Sequence, residues 1–135
     1  VGLRLSVDTS FLIDLQRERS RGETAGPAHR LLARAPDAEL ALSVVALGEF
    51  AEGFANAEHP VVRIVREQHT LLSVDEETAL IYAGLVRDLR RRGELIGTND
   101  LWIAASSLRH GLPVLTGNVD HFGRIEGLEV VSYRS

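Results

Sequence analysis

Residues 98–118 read Thr98-Asn99-Asp100-Leu101-Trp102-Ile103-Ala104-Ala105-Ser106-Ser107-Leu108-Arg109-His110-Gly111-Leu112-Pro113-Val114-Leu115-Thr116-Gly117-Asn118, and they contain a complete helix-to-strand unit. Leu101, Ala104, Ala105 and Leu108 recur at helical spacing and make one inward stripe. Asn99 or Thr98 can cap the start, Gly111 ends the helix, and Pro113 opens an apolar strand at Val114–Leu115. That strand runs out into Thr116-Gly117-Asn118, a short polar edge.

The same alternation extends along the rest of the chain. Leu3–Asp8 is expected as a strand, followed by a helix over Phe11–Glu18 that starts at Thr9 or Ser10. Ser20–Pro27, with Gly22 and Gly26, reads as a loop before a helix at Ala28–Ala35. Leu40–Val44 reads as a second strand, and Leu47, Phe50, Ala51 and Phe54 as the core-facing stripe of the helix after it. Beyond Pro60, the residues Val61, Ile64 and Val65 indicate another helix, and Leu71–Val74 a short strand. Glu76–Arg92 is the longest expected helix, with Ala79, Tyr82, Ala83, Val86 and Leu89 on one face and Gly93 as its stop. Leu128–Ser132 supplies the last strand. Short apolar strands alternating with amphipathic helices imply an α/β fold, a mainly parallel central sheet flanked by helices on both faces, in a single domain over residues 1–135.

Composition narrows the chemistry. The 135 residues include no cysteine, which removes disulfides, thiolate nucleophiles and zinc–thiolate sites, and the 5 histidines are scattered, so a metal here is expected to be held by oxygen. The formal charge of −4 argues against a protein that coats nucleic-acid phosphates with a broad positive face, although a local groove is compatible with it. All 15 basic residues are arginine, as codon usage in a GC-rich genome would produce. Absence of a long apolar run or a signal-type start leads to the expectation of a cytoplasmic protein with no membrane partner.

In parallel α/β sheets, ligands bind beyond the carboxyl ends of the strands. Asp8 ends the first strand, and Thr116, Gly117, Asn118 and Asp120 follow a later one. Asp100, in the first turn of its helix, can be carried to the same edge. Each also has an ordinary reading: Asp8 or Ser10 as a helix cap, Asp100 as a complement to the helix dipole, and Asp120 with His121 as a turn. Glu49 lies off the apolar stripe of its helix, and spacing alone makes it a surface residue.

Taken together, the chain resembles the PIN-domain nucleases, and within them the VapC-type toxins of bacterial type II toxin–antitoxin pairs. The resemblance rests on Val7-Asp8-Thr9-Ser10, Glu49 with Gly53, Asn99-Asp100-Leu101-Trp102-Ile103-Ala104-Ala105, and Thr116-Gly117-Asn118 followed by His121-Phe122. It implies a metal-dependent endoribonuclease using Mg2+ or Mn2+, with Asp8, Glu49 and Asp100 as metal ligands and Ser10, Thr116 and Asn118 in substrate-binding support. It also implies a homodimer, an RNA substrate and a cognate VapB-type antitoxin whose C-terminal segment enters the active-site groove. One departure stands out: many relatives carry a fourth acid directly before the Phe, where this chain has His121, and Asp120 sits one residue out of register as the substitute.

The arginine groups Arg17, Arg19, Arg21 and Arg87, Arg90, Arg91, Arg92 could guide phosphates, but solvated helix faces explain them as well. Two rival classes remain. A receiver-type phosphoryl-transfer domain would also end its first strand in Asp, but the lysine such a site uses is absent from this chain. A non-catalytic binding module would keep the fold and lose cleavage along with the fourth acid.

Overall fold

Five short strands and seven helices alternate along the computed structural model, which describes residues 3–134. In order they are β1 (Arg4–Val7), α1 (Thr9–Ser20), α2 (Pro27–Arg34), β2 (Glu39–Ser43), α3 (Val44–Ala51), α4 (Pro60–Gln68), β3 (Thr70–Leu72), α5 (Glu76–Arg92), α6 (Thr98–Arg109), β4 (Val114–Thr116), α7 (Val119–Phe122) and β5 (Val130–Ser132). The strands form one sheet in the order β3-β2-β1-β4-β5, and every pairing is parallel.

This order fixes where helices and ligands go. The chain steps outward from β1 to β2 to β3, then returns across the sheet and continues from β4 to β5 in the opposite direction. Right-handed crossovers therefore put α1–α4 on one face and α5–α7 on the other. The reversal falls between β1 and β4, the switch point at which crevices open beyond the strand ends. Asp8 and Thr116 flank it, and the Asp8 amide donates to the Leu115 carbonyl at 2.9 Å.

Burial follows the short strands. Leu5, Val7, Leu42, Val114 and Leu115 are fully buried, as strands covered on both faces require, and they pack with Phe11, Ala46, Ile103, Ala104, Leu89 and Phe122. α5 starts with Asp75 accepting from the Thr78 amide at 2.8 Å and stops at Gly93, whose φ of 68° is the left-handed cap that glycine adopts freely.

Several boundaries differ from the sequence expectation. Val44 begins α3 instead of ending β2, because Ser43 turns the chain there by accepting from the Val45 amide. α3 stops at Ala51, so Phe54 packs from outside the helix, and Ala46 is the buried residue that the expected stripe lacked. In α4 Val62 is buried while Ile64 is 40% exposed. β3 is over by Leu72, and Val74 is exposed. Neither Thr98 nor Asn99 caps α6: Gly97 holds the N-cap position and makes no side-chain bond. The single-turn helix α7 was not foreseen, because four residues carry no readable period.

Candidate active site

The switch-point crevice gathers Asp8, Glu49 and Asp100 from three separate elements. Asp8 immediately follows β1 and is the N-cap of α1, so its capping role and its place in the crevice are one geometry. It is 4% exposed and accepts three hydrogen bonds: Thr9 N at 2.8 Å on Oδ1, and Ser10 Oγ and Thr116 Oγ1, both at 2.8 Å, on Oδ2. A carboxylate offers about four lone-pair positions, so one is left over.

Glu49 is turned from the surface into the crevice by two partners. Thr9 Oγ1 donates to its Oε1 at 2.7 Å and Asn99 Nδ2 to its Oε2 at 3.0 Å. These bonds tie α3 to the starts of α1 and α6. Neither partner was assigned a site role from the sequence. Asn99 was read as a cap, and its adjacency to Asp100, off the inward stripe of α6, was the one clue to another use.

Asp100 lies in the first turn of α6 with its side chain 23% exposed. Its carboxyl is pushed above the usual range by burial first, and then by the charges of Asp8 and Glu49, against the opposing effect of His121. His121 Nδ1 stands 3.3 Å from Asp100 Oδ2 and 2.8 Å from Asn118 Nδ2.

The polar edge after β4 is organised around Asp8. The Ser10 hydroxyl, while donating to Asp8, accepts from Gly117 N at 3.1 Å, and Thr116 Oγ1 accepts from Asn118 N at 2.8 Å. Gly117 is required there: a Cβ on it would lie 2.7 Å from Arg134 Cζ and 2.8 Å from the Tyr133 hydroxyl. Tyr133 in turn donates to Asp14, and burial followed by that bond pushes its hydroxyl up to about 12.

Asp120 is not brought to the group. Its side chain is 80% exposed and paired with Arg124 Nη2 at 3.0 Å. Two arginines of α5 are likewise engaged locally, Arg91 and Arg92 with Asp88 at 2.6 and 2.9 Å. Arg17 lies 4.0 Å from Asp14.

The residue types fit a hard divalent cation. Apart from the His121 ring, the donors around the crevice are oxygens, and lone pairs remain on Asp8, Glu49 and Asp100. Burial first, and then the charges of Asp8 and Glu49, raise Asp100, and a bound cation would offset both effects. Among the described residues no three acids or imidazoles are posed to close on an ion as they stand, each being turned toward its own hydrogen-bond partners.

The family model for the PIN domain matches residues 5–128. The chain belongs to the PIN domain family. Among similar PIN proteins, Ribonuclease VapC1 of Methanocaldococcus jannaschii is 30% identical over 130 residues, covering 94% of this chain and 86% of the relative. Ribonuclease VapC1 of Rickettsia felis is 32% identical over 139 residues, covering 97% of each. The chain is thus a VapC-type PIN domain. The solved structure of VapBC-1 from nontypeable Haemophilus influenzae matches with a TM-score of 0.79 at 28% identity, covering 98% of this chain and 100% of that one. Among the described residues no helix is long and apolar enough to cross a membrane.

Proposed function

We propose that this PIN domain is a divalent-metal-dependent endoribonuclease, the toxin of a toxin–antitoxin pair, with Asp8, Glu49 and Asp100 holding Mg2+ or Mn2+. The observation that carries the reading is the convergence of three carboxylates at the switch point, from the N-cap of α1, from α3 and from α6, where burial first and then Asp8 and Glu49 raise Asp100. The VapC ribonucleases it resembles supply the substrate class. When bound, the ion supplies neutralisation of phosphodiester charge and lowers the pKa of a water.

The chain's own side chains divide the remaining work. Asp8 is fixed by three donors and leaves one lone pair for the ion. Ser10 and Thr116 commit their hydroxyl protons to Asp8, so they position that ligand instead of touching substrate. Asn118, whose side-chain amide meets His121 Nδ1 at 2.8 Å, keeps further hydrogen-bonding capacity for a phosphodiester. Glu49, held through both oxygens, orients a water or the ion. Asp120, paired outward, has no part in this division.

A VapB-type antitoxin is the expected partner, in keeping with the VapBC-1 complex this chain resembles. The cleft lined by Ile13, Phe50 and Phe54 beside Glu49 suits an apolar partner segment. A cytoplasmic homodimer completes the proposal. Cleavage of total RNA with Mg2+ or Mn2+, with and without chelator, tests the enzymology on the wild type beside Asp8→Asn and Asp100→Asn. Chelator-sensitive cutting by the wild type and loss in both variants is expected; undiminished cutting by the variants overturns the assignment.

A further inference from the structure

Gly117, on the edge that follows β4, is a glycine for a reason other than its backbone. The positive φ angles fall at Gly22, Gly93, Gly111 and Gly127 and not here. What forbids a side chain is space, since a Cβ would meet Arg134 Cζ at 2.7 Å, and Arg134 Nε and the Tyr133 hydroxyl at 2.8 Å. The bare backbone lets a guanidinium lie against the rim of the crevice. Gly117 N donates to Ser10 Oγ at 3.1 Å and Ser10 Oγ to Asp8 Oδ2 at 2.8 Å, so the Arg134 cation rests on a residue only two hydrogen bonds from Asp8.

Arg134 is fixed there without being neutralised. Its Nη2 donates to Asp14 Oδ2, the oxygen that also accepts from Tyr133, and its Cζ lies 5.3 Å from the centre of the Tyr133 ring. Arg17 reaches the same carboxylate at 4.0 Å, so two arginines share one acid. At other ion pairs the balance is even or acidic: Arg124 meets Asp120, Arg109 meets Asp75 and Glu77, and Arg91 and Arg92 meet Asp88 with Glu94. The Arg134 side chain is 52% exposed, and its bond to Asp14 takes one of five N–H donors. A half-exposed guanidinium with donors to spare matches a phosphate, and its charge offsets the repulsion that Asp8, Glu49 and Asp100 exert on an RNA backbone.

We propose that Arg134 binds a phosphate of the RNA chain next to the one at the carboxylates, which makes the edge after β4 a backbone-holding subsite and Gly117 the residue that admits the cation to it. This rests on RNA being the substrate, as proposed above. The contact is to the backbone and is indifferent to base sequence. Arg17, the second cation on Asp14, adds to the same local field.

Equilibrium binding of a fluorescein-labelled, mixed-sequence, single-stranded oligoribonucleotide to the full chain, in chelator and over a series of salt concentrations, tests this apart from cleavage. Arg134→Gln is expected to make the slope of log affinity against log salt shallower by about 0.7, the share of one phosphate contact on a single strand, and to weaken binding about fivefold near 0.1 M salt. Arg134→Lys, which keeps the charge, is expected to keep the slope. Asp14→Asn, which releases Arg134 from its anion, is expected to keep the slope and tighten binding. Circular dichroism checks that the variants are folded. A role confined to the Asp14 ion pair would lower Tm in Arg134→Gln and Asp14→Asn alike and leave both slopes at the wild-type value; that result overturns the proposal, as does a wild type that binds no RNA. Metal-dependent cleavage by the wild type together with an unchanged slope in Arg134→Gln removes Arg134 and leaves the nuclease standing. An Arg134-dependent slope in a wild type that cuts nothing under Mg2+ or Mn2+ does the reverse.

Discussion

Helix α1 has a buried carboxylate near each end, Asp8 at 4% exposure and Glu18 at 6%, and the two ends show what burial alone does not tell. Glu18 accepts from Ala28 N at 2.9 Å, His29 N at 3.0 Å and His29 Nδ1 at 2.8 Å, closing the first turn of α2, whose own N-cap Gly26 offers no side chain. Burial pushes the Glu18 carboxyl up, but these donors together outweigh it and hold it below the usual range. At the other end, Asp8 shares its crevice with further acids, and Asp100 is pushed up. Both acids accept three hydrogen bonds, so donors do not tell them apart; what differs is the presence of further acids beside Asp8, the arrangement that a cation relieves.

Exchanging losses between the two ends gives the largest effects. Asp100→Asn should lower RNA cleavage by at least about 100-fold, beyond the roughly 10–100-fold cost of losing a residue that only supports a metal ligand. Glu18→Ala should leave cleavage well below the melting temperature unchanged. It removes the one acceptor that serves three buried or part-buried donors at a helix start, which should cost about 2–3 kcal/mol and lower Tm by roughly 10 °C. Thermal melts and cleavage rates measured on the same preparations check both; a Glu18→Ala protein that melts normally breaks the comparison.

The sequence made one end of α1 readable and not the other. Asp8, Asp100 and the Thr116–Asn118 edge could be placed because strand ends are legible from short apolar runs, and parallel sheets put their sites beyond those ends. Glu18 could not be distinguished from the charged residues around it, because its partners arrive from the next helix after a turn that carries no pattern. Glu49 read as surface by spacing and was placed only by family resemblance; the Thr9 and Asn99 bonds that turn it inward are contacts across 40 and 50 residues, invisible to a local window. His121 and Asp120 depend on the rotation of a single helical turn, which is anchored by the fully buried Phe122 and carries no readable period.

Asn99 sharpens the comparison with an intermediate effect. It supports Glu49 from an exposed position and caps nothing, so Asn99→Ala should reduce cleavage about tenfold, the lower end for a residue that orients a ligand. Stability should move by less than about 0.5 kcal/mol, as for exposed positions generally. A melt that drops while cleavage holds would reverse the roles given to Asn99 and Glu18.

The smallest effect is one of sign. In chelator, the folded protein takes up a proton at Asp100 at a higher pH than the unfolded chain does, because burial and then Asp8 and Glu49 raise that carboxyl. Stability therefore falls as pH rises from the unfolded to the raised value, and the full penalty is present above the raised value. Glu18 behaves oppositely: its contribution is complete at neutral pH and is lost as pH falls through its lowered value. Asp100→Asn should consequently be more stable than the metal-free wild type at pH 7.5, by about 1 kcal/mol, a size common among substitutions that relieve functional-site tension. Urea titrations from pH 7.5 to 4.5 should show the two curves converging on the acid side as the wild type protonates Asp100. Curves that stay parallel over that range would mean that neither burial nor the charges of Asp8 and Glu49 raise Asp100, and the crevice would then resemble the Glu18 end of the helix after all.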